Sequence, residues 1–177
     1  MVQSPPSAPP ETAPPETAPQ VDRAVQAAQQ ACDQKGLRLT ALRAAVLRII
    51  ARSNRPLGAY ALLVLLQDEV GRKHTPPTIY RALEFLLEIG SILRVESRNA
   101  YILRDHPERP GSPVLFLCDT CDSSVAVESP VLAELIESNA ATLKFHIARP
   151  VIECSGTCDR CAEAAADTVI RGASDER

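Results

Sequence analysis

The sequence predicts an α+β chain: a winged helix-turn-helix domain in its N-terminal part, then a small α/β domain built around paired cysteines. Three observations carry that expectation. A proline-opened amphipathic stretch at residues 75–90 is followed at once by two short β-rich runs. Charge divides along the chain, with 13 Lys and Arg against 8 Asp and Glu in residues 21–105, and 6 against 12 in residues 106–177. Four of the six cysteines form two C-x-x-C pairs, Cys118/Cys121 and Cys158/Cys161.

Composition narrows the class before any element is placed. A chain of 177 residues can bury one ordinary core or two small ones. With aromatics at 3% and no Trp, those cores must be aliphatic. No apolar run is long enough to cross a membrane, and the N-terminus lacks the basic-then-apolar order of a secretory signal, so a cytoplasmic protein with no membrane partner is expected. Thiols there stay reduced unless they bind metal or do redox chemistry. A basic section inside an acidic chain suggests that one part meets a polyanion and the other does something else.

Residues 1–20 are rich in Pro, Ala, Ser and Thr, a composition that cannot bury a core, and are expected to be a disordered tail. Residues 21–104 are read as the winged-helix domain. Its first helix covers Asp22 to Lys35, Ala- and Gln-rich, and ends at Gly36. Thr40 caps a second helix whose apolar side is Leu42, Val46, Leu47, Ile49 and Ile50. The N-R-P-L-G segment at 54–58 breaks it. A third helix follows from Ala59 to Val70, with Leu62, Leu63, Leu65 and Leu66 as its buried material.

The fourth helix opens at Thr75, whose side chain can accept from an orphan amide ahead of two prolines, and stops at Gly90. Ile79, Ala82, Leu83, Leu86 and Leu87 share one face; Arg81 lies roughly opposite, with Thr78 to one side. Alone, such a helix is most often a packing element. Its setting in a basic section, after another helix and before a hairpin, makes it a reading helix for the major groove. The hairpin is Ile92–Val95 and Tyr101–Leu103, joined by turn-forming E-S-R-N-A.

Residues 105–113 form a Pro- and Gly-rich hinge, and residues 114–163 a second domain. Val114–Leu117 reads as a strand entering C-D-T-C, Ser123–Val127 as its return, Pro130 to about Ala141 as a helix on Leu132, Leu135 and Ile136, and Val151–Ile152 as a last strand. Residues 164–177 are a polar tail that can begin as a helix.

A C-x-x-C turn presents two sulfurs from one knuckle, and two knuckles complete a tetrahedral thiolate site for zinc. Disulfides or a redox dithiol are the alternatives. Asp119, Asp122 and Asp159 are expected to raise thiol pKa values, which works against the redox reading. A four-sulfur site is closed and leaves no position for catalytic water, so an enzyme is not expected. Cys32 reads as a semi-buried thiol. Cys154 lies near the second knuckle without a clear task.

These parts together resemble the ferric-uptake-regulator (Fur) family of bacterial repressors, and within it the zinc-uptake-regulator (Zur) branch. R-L-T at 38–40, L-G-A-Y at 57–60, P-P-T-I-Y-R-A-L-E-F-L at 76–86, V-E-S-R-N-A-Y at 95–101 and the two knuckles carry the likeness, which covers about residues 22–162. The resemblance implies a homodimer joined through the second domain and a double-stranded, AT-rich palindromic DNA operator. It implies base contacts from Tyr60 and Arg81, supported by Thr78 and Tyr80. It further implies one structural Zn²⁺ per protomer on Cys118, Cys121, Cys158 and Cys161. Arginine can bond a purine edge bidentately and tyrosine can pack on a thymine methyl, which suits those roles.

The branch also places a regulatory zinc between its domains. The corresponding positions here are Leu93, Arg104, Gly111 and Ala126, none of which can ligate zinc. Asp105, His106 and Glu128 are the remaining donors for a second metal. The reading is thus a DNA-binding repressor concerned with zinc or other metal homeostasis, with a degenerate regulatory site. The reading from another class is a thiol-based redox sensor or dithiol oxidoreductase using Cys154 with a knuckle cysteine.

Overall fold

A computed structural model describes residues 18–104 and 112–172. Helix α1 (Ala18–Gln34) begins inside the stretch expected to be unstructured and buries Val21, Ala28 and Cys32. Helix α2 (Ala41–Ala51) starts where Thr40 Oγ1 accepts from the amide of Arg43. A two-residue strand that periodicity could not reveal, β1 (Leu57–Gly58), precedes α3 (Ala59–Val70). In α3, Leu62 and Leu66 are fully buried, Leu63 is half-buried, and Leu65 is exposed, contrary to expectation. The helix therefore presents a narrower apolar stripe than four leucines suggested.

Helix α4 (Pro76–Glu88) carries prolines in its first turn. Its N-cap is Thr75, but the expected side-chain cap is absent: Thr75 Oγ1 lies 3.0 Å from Thr78 Oγ1 instead. Gly90 adopts φ +75°, the left-handed geometry that ends the helix and turns the chain into β2 (Ile92–Val95). Strand β3 (Ala100–Leu103) pairs antiparallel with both β2 and β1, giving a three-stranded sheet of order β1-β3-β2. This is a winged helix. Its aliphatic core joins Val46, Leu47 and Ile50 of α2, Leu62 and Leu66 of α3, and Ile79, Leu83 and Leu86 of α4. The Arg43 guanidinium lies 3.4 Å above the Phe85 ring, and Lys35 Nζ donates to the Glu88 carbonyl at the end of α4.

The second domain is a sheet of order β5-β4-β6, from β4 (Ser112–Cys118), β5 (Ser124–Ser129) and β6 (Ile152–Gly156). The hairpin β4–β5 is antiparallel. The β4–β6 pair is parallel, and α5 (Pro130–Thr142) makes the crossover that such a pair requires. Ser129 caps α5 by accepting from the Leu132 amide. Helix α6 (Asp159–Gly172) starts within the second knuckle and continues past residue 163, where the tail was expected to begin. Among the described residues, no helix is long and apolar enough to cross a membrane.

Candidate metal centre and nucleic-acid interface

The first knuckle closes the hairpin between β4 and β5, and the second joins β6 to α6. Parallel pairing sets Cys118 opposite Gly156, and the Asp119 amide donates to the Gly156 carbonyl at 2.8 Å. That register brings the second knuckle over the first. Ligand atoms of Cys118, Cys121, Cys158 and Cys161 all lie within 4.8 Å of one another. A tetrahedral site with Zn–S bonds of about 2.3 Å separates its sulfurs by about 3.8 Å; the Cys121 and Cys158 sulfurs are 3.7 Å apart. Among the described residues, this is the one grouping of His, Cys, Asp or Glu donors able to hold a metal ion.

Electrostatics favour thiolates at two of these positions. The Ser123 hydroxyl, 3.1 Å away, holds the Cys121 thiol down to about 5 against the effect of burial, helped by the Ser123 amide and Arg160. Backbone amides, that of Cys158 first, hold Cys118 below its ordinary value. This corrects the expectation that the neighbouring aspartates would raise these thiols: local hydrogen bonds to sulfur dominate. Cys161 is pushed up to about 12 by burial and by the other three sulfurs. Four clustered sulfurs, three of them buried, make a donor set that suits zinc.

The remaining cysteines stand apart. Cys32 is buried in the first core, and burial raises its thiol. Cys154 is exposed on β6 opposite Phe116, outside the four-sulfur cluster. No disulfide joins the six cysteines.

On the other domain, Tyr60 projects from the first turn of α3 with 70% of its surface exposed. Arg81 is exposed on α4, Tyr80 is partly exposed, and Thr78 is half-buried in the first turn. The first turn of α4 contains no acid, so the positive end of its dipole is uncompensated. Exposed Arg72 and Lys73 lie in the turn that enters it.

Between the domains, the positions compared above with a regulatory zinc site are occupied otherwise. Leu93 and Ala126 pack against an apolar cluster of Val95, Ile102, Leu115 and Leu117 that spans both sheets. Arg104 Nε donates to Glu128 Oε1 at 2.7 Å, and that carboxylate is only 8% exposed. Its other oxygen, Oε2, is buried and has no hydrogen-bond partner among the described residues. Asp105, His106 and Gly111 lie outside the described residues.

Sequence reading missed how the wing is held. Arg98 donates to the Cys118 carbonyl at 3.1 Å, to Asp119 at 3.2 Å and to Asp122 at 2.8 Å. Glu153 accepts from the amides of Glu96 and Ser97 at 2.6 and 3.1 Å. The available signal was an arginine in one tight turn and an acidic C-D-T-C-D loop elsewhere, which only the fold brings together.

No protein-family model matches the chain. It is 36% identical over 137 residues to the zinc uptake regulation protein of Escherichia coli K12, covering 77% of this chain and 80% of that one. The Shigella flexneri zinc uptake regulation protein matches to the same extent. Among solved structures, a zinc uptake regulator complexed with zinc and DNA superposes with a TM-score of 0.78 at 34% identity, covering 85% of this chain and 99% of that one. Holo XcZur superposes at 0.71 with 38% identity, covering 80% and 99%. These relatives are transcriptional regulators, not enzymes, and lend no support to a dithiol oxidoreductase. The winged helix, the paired knuckles and this identity place the chain in the Fur family, in its zinc-uptake-regulator branch.

Proposed function

We propose that the protein is a zinc-binding, dimeric repressor that reads a palindromic, AT-rich operator through α4. The observation that carries this reading is the joint presence of an acid-free, proline-opened helix N-terminus, entered through exposed Arg72 and Lys73 and followed on the same helix by exposed Arg81, and a closed four-sulfur site. Helix-turn-helix modules place the N-terminal residues of the second helix against base edges. Arg81 and Tyr60 are the base readers in this scheme, with Thr78 and Tyr80 positioned beside the backbone. Cys118, Cys121, Cys158 and Cys161 hold one structural zinc per protomer, which supplies the charge that lets four closely spaced thiolates coexist.

The second copy docks on the outer face of the second sheet. Phe116, Val125 and Val127 are about half exposed there, and Val131, Leu135 and Phe145 are exposed on and after α5. An apolar surface on this scale marks an interface. Two-fold pairing would set two copies of α4 one DNA turn apart, matching a palindrome.

Selection from a random duplex library by the zinc-loaded protein tests this reading. The expected result is enrichment of an AT-rich inverted repeat, with binding that weakens steeply as salt rises. Arg81→Ala is expected to lower selected-site affinity by roughly 10-fold or more and to relax preference at one position per half-site. Recovery of unenriched library at every zinc level would sink the proposal.

A further inference from the structure

A cleft of about 370 Å³ lies between the winged helix and the second sheet, a volume within the range of small-molecule sites. Its apolar walls come from three parts of the fold. Leu87 and the Gly90 turn close the end of α4, Leu93 belongs to β2, and Leu115 and Val151 come from β4 and the segment entering β6. Arg94, Arg104 and Arg149 supply the charged groups, and the described lining holds no acid, histidine or cysteine. That wall offers a metal ion no side-chain ligand and offers an anion three sets of donors. Glu96 pairs with both Arg94 and Arg149, and Glu128 pairs with Arg104, but neither carboxylate is among the described lining residues. Three guanidiniums thus answer to two carboxylates. Arg104 is the most sheltered of the three, and among the described residues its bond to Glu128 uses Nε alone. Its Nη1 stands beside the Gly90 wall, 3.7 Å from the point a Cβ there would occupy.

We infer that this cleft is a binding site for a small carboxylate with an apolar body, in which the Arg104 fork takes the carboxylate. A guanidinium presents parallel N–H donors that match the two oxygens of a carboxylate, so charge and shape are recognised together. The body of the ligand covers Leu87, Leu93 and Val151, which are half-buried or exposed without it. A neutral apolar molecule would displace water from the guanidinium and return no hydrogen bond. A bare phosphate would satisfy the charge and leave the apolar walls wet. An aliphatic amine would set a cation against three others. The cleft is separate from the four-sulfur cluster. It adjoins the C-terminal end of α4, whereas the proposed DNA contacts come from the N-terminal half of that helix.

Methyl NMR of the zinc-loaded full chain, titrated with hexanoate, hexanol, hexylamine and inorganic phosphate, tests this assignment. Hexanoate is expected to give saturable shifts at Leu87, Leu93 and Val151, with a Kd on the order of 1 mM, ordinary for so small a ligand. Hexanol should bind at least about tenfold more weakly for want of charged hydrogen bonds, and phosphate likewise for want of a body. Hexylamine should not bind. Arg104→Leu alone would leave Glu128 buried and unpaired, so the fork is removed by combining Arg104→Leu with Glu128→Leu. Val151 is half exposed, so Val151→Glu brings a rival carboxylate to the cleft without disturbing the core. Each variant should weaken hexanoate about tenfold or more while the remaining methyl signals keep their folded positions. Any of the other three probes binding as tightly as hexanoate would overturn the assignment. So would shifts confined to Val125 and Val127 on the outer face, unchanged affinity in either variant, or no saturable shift at tens of millimolar.

Discussion

The two halves of the molecule keep their shapes by different means. The winged helix packs an aliphatic core from four helices and its sheet, with Leu47, Ile50, Leu62, Leu66, Ile79, Leu83 and Leu86 sealed from water. The second domain has no comparable core. Its inner face, Leu115 and Leu117, packs on the wing; its outer face leaves Phe116, Val125 and Val127 in solvent; its third cluster is made of cysteines. Burial of apolar surface suffices for the first half. The second has an inner face packed on the wing, and under the proposed function a metal ion and another copy complete the rest. A domain that is incomplete alone is suited to respond to what completes it.

Stripping the metal should break this contrast open most widely. A structural zinc supplies on the order of 10 kcal/mol to the unit that binds it. Cys121→Ser, or strong chelation, is expected to melt the second domain and leave the winged helix folded. Two separate transitions in hydrogen exchange or calorimetry would show it; one cooperative transition would mean the halves are not independent. Arg104→Leu comes next. It strands the buried Glu128 carboxylate and should cost roughly 3 kcal/mol, read by denaturant unfolding. Replacing both partners, Arg104→Leu with Glu128→Leu, should recover much of that loss.

Smaller again is Glu153→Gln, at roughly 1.5 kcal/mol, because two amide bonds to a carboxylate become weaker bonds to an amide. The folded carboxyl of Glu153 is depressed, so its contribution is complete above the ordinary glutamate value of about 4.3. It is lost as pH falls through the lower folded value. Stability of the variant should therefore change less than that of the parent across that acidic window. Thr40→Ala removes the α2 cap and should cost about 1 kcal/mol, confined to the winged-helix transition.

Much of this was legible because local chemistry was explicit. Thr40 before a helical apolar pattern, prolines opening α4, Gly90 closing it and two C-x-x-C pairs each mark structure within a few residues. Strand β1 was not legible: Leu57 and Gly58 look like loop and become a strand only by pairing with Tyr101 and Ala100. The same holds for the Leu65 side chain, left in solvent because α2 and α4 cover other faces of α3. The grip on Arg98 and the Arg104–Glu128 pair join residues 20 to 24 positions apart, and no periodicity encodes such meetings. Thiol acidity was misread for a similar reason. The aspartates are visible in the sequence, whereas the amides and hydroxyl aimed at sulfur exist only after folding.

The sulfurs that meet in the four-cysteine cluster are far apart along the chain, Cys121 and Cys158 being 37 residues from each other. A growing polypeptide presents one knuckle long before its counterpart emerges, and two sulfurs alone make a poor trap for a metal ion. Capture must wait until α5 has crossed over and β6 has paired beside β4, a non-local event that is inherently slow. Newly made molecules therefore pass through an interval in which the winged helix has already folded but the clasp behind it is still open. For the proposed zinc protein, metal availability during that interval would join equilibrium affinity in setting how quickly fresh molecules are completed.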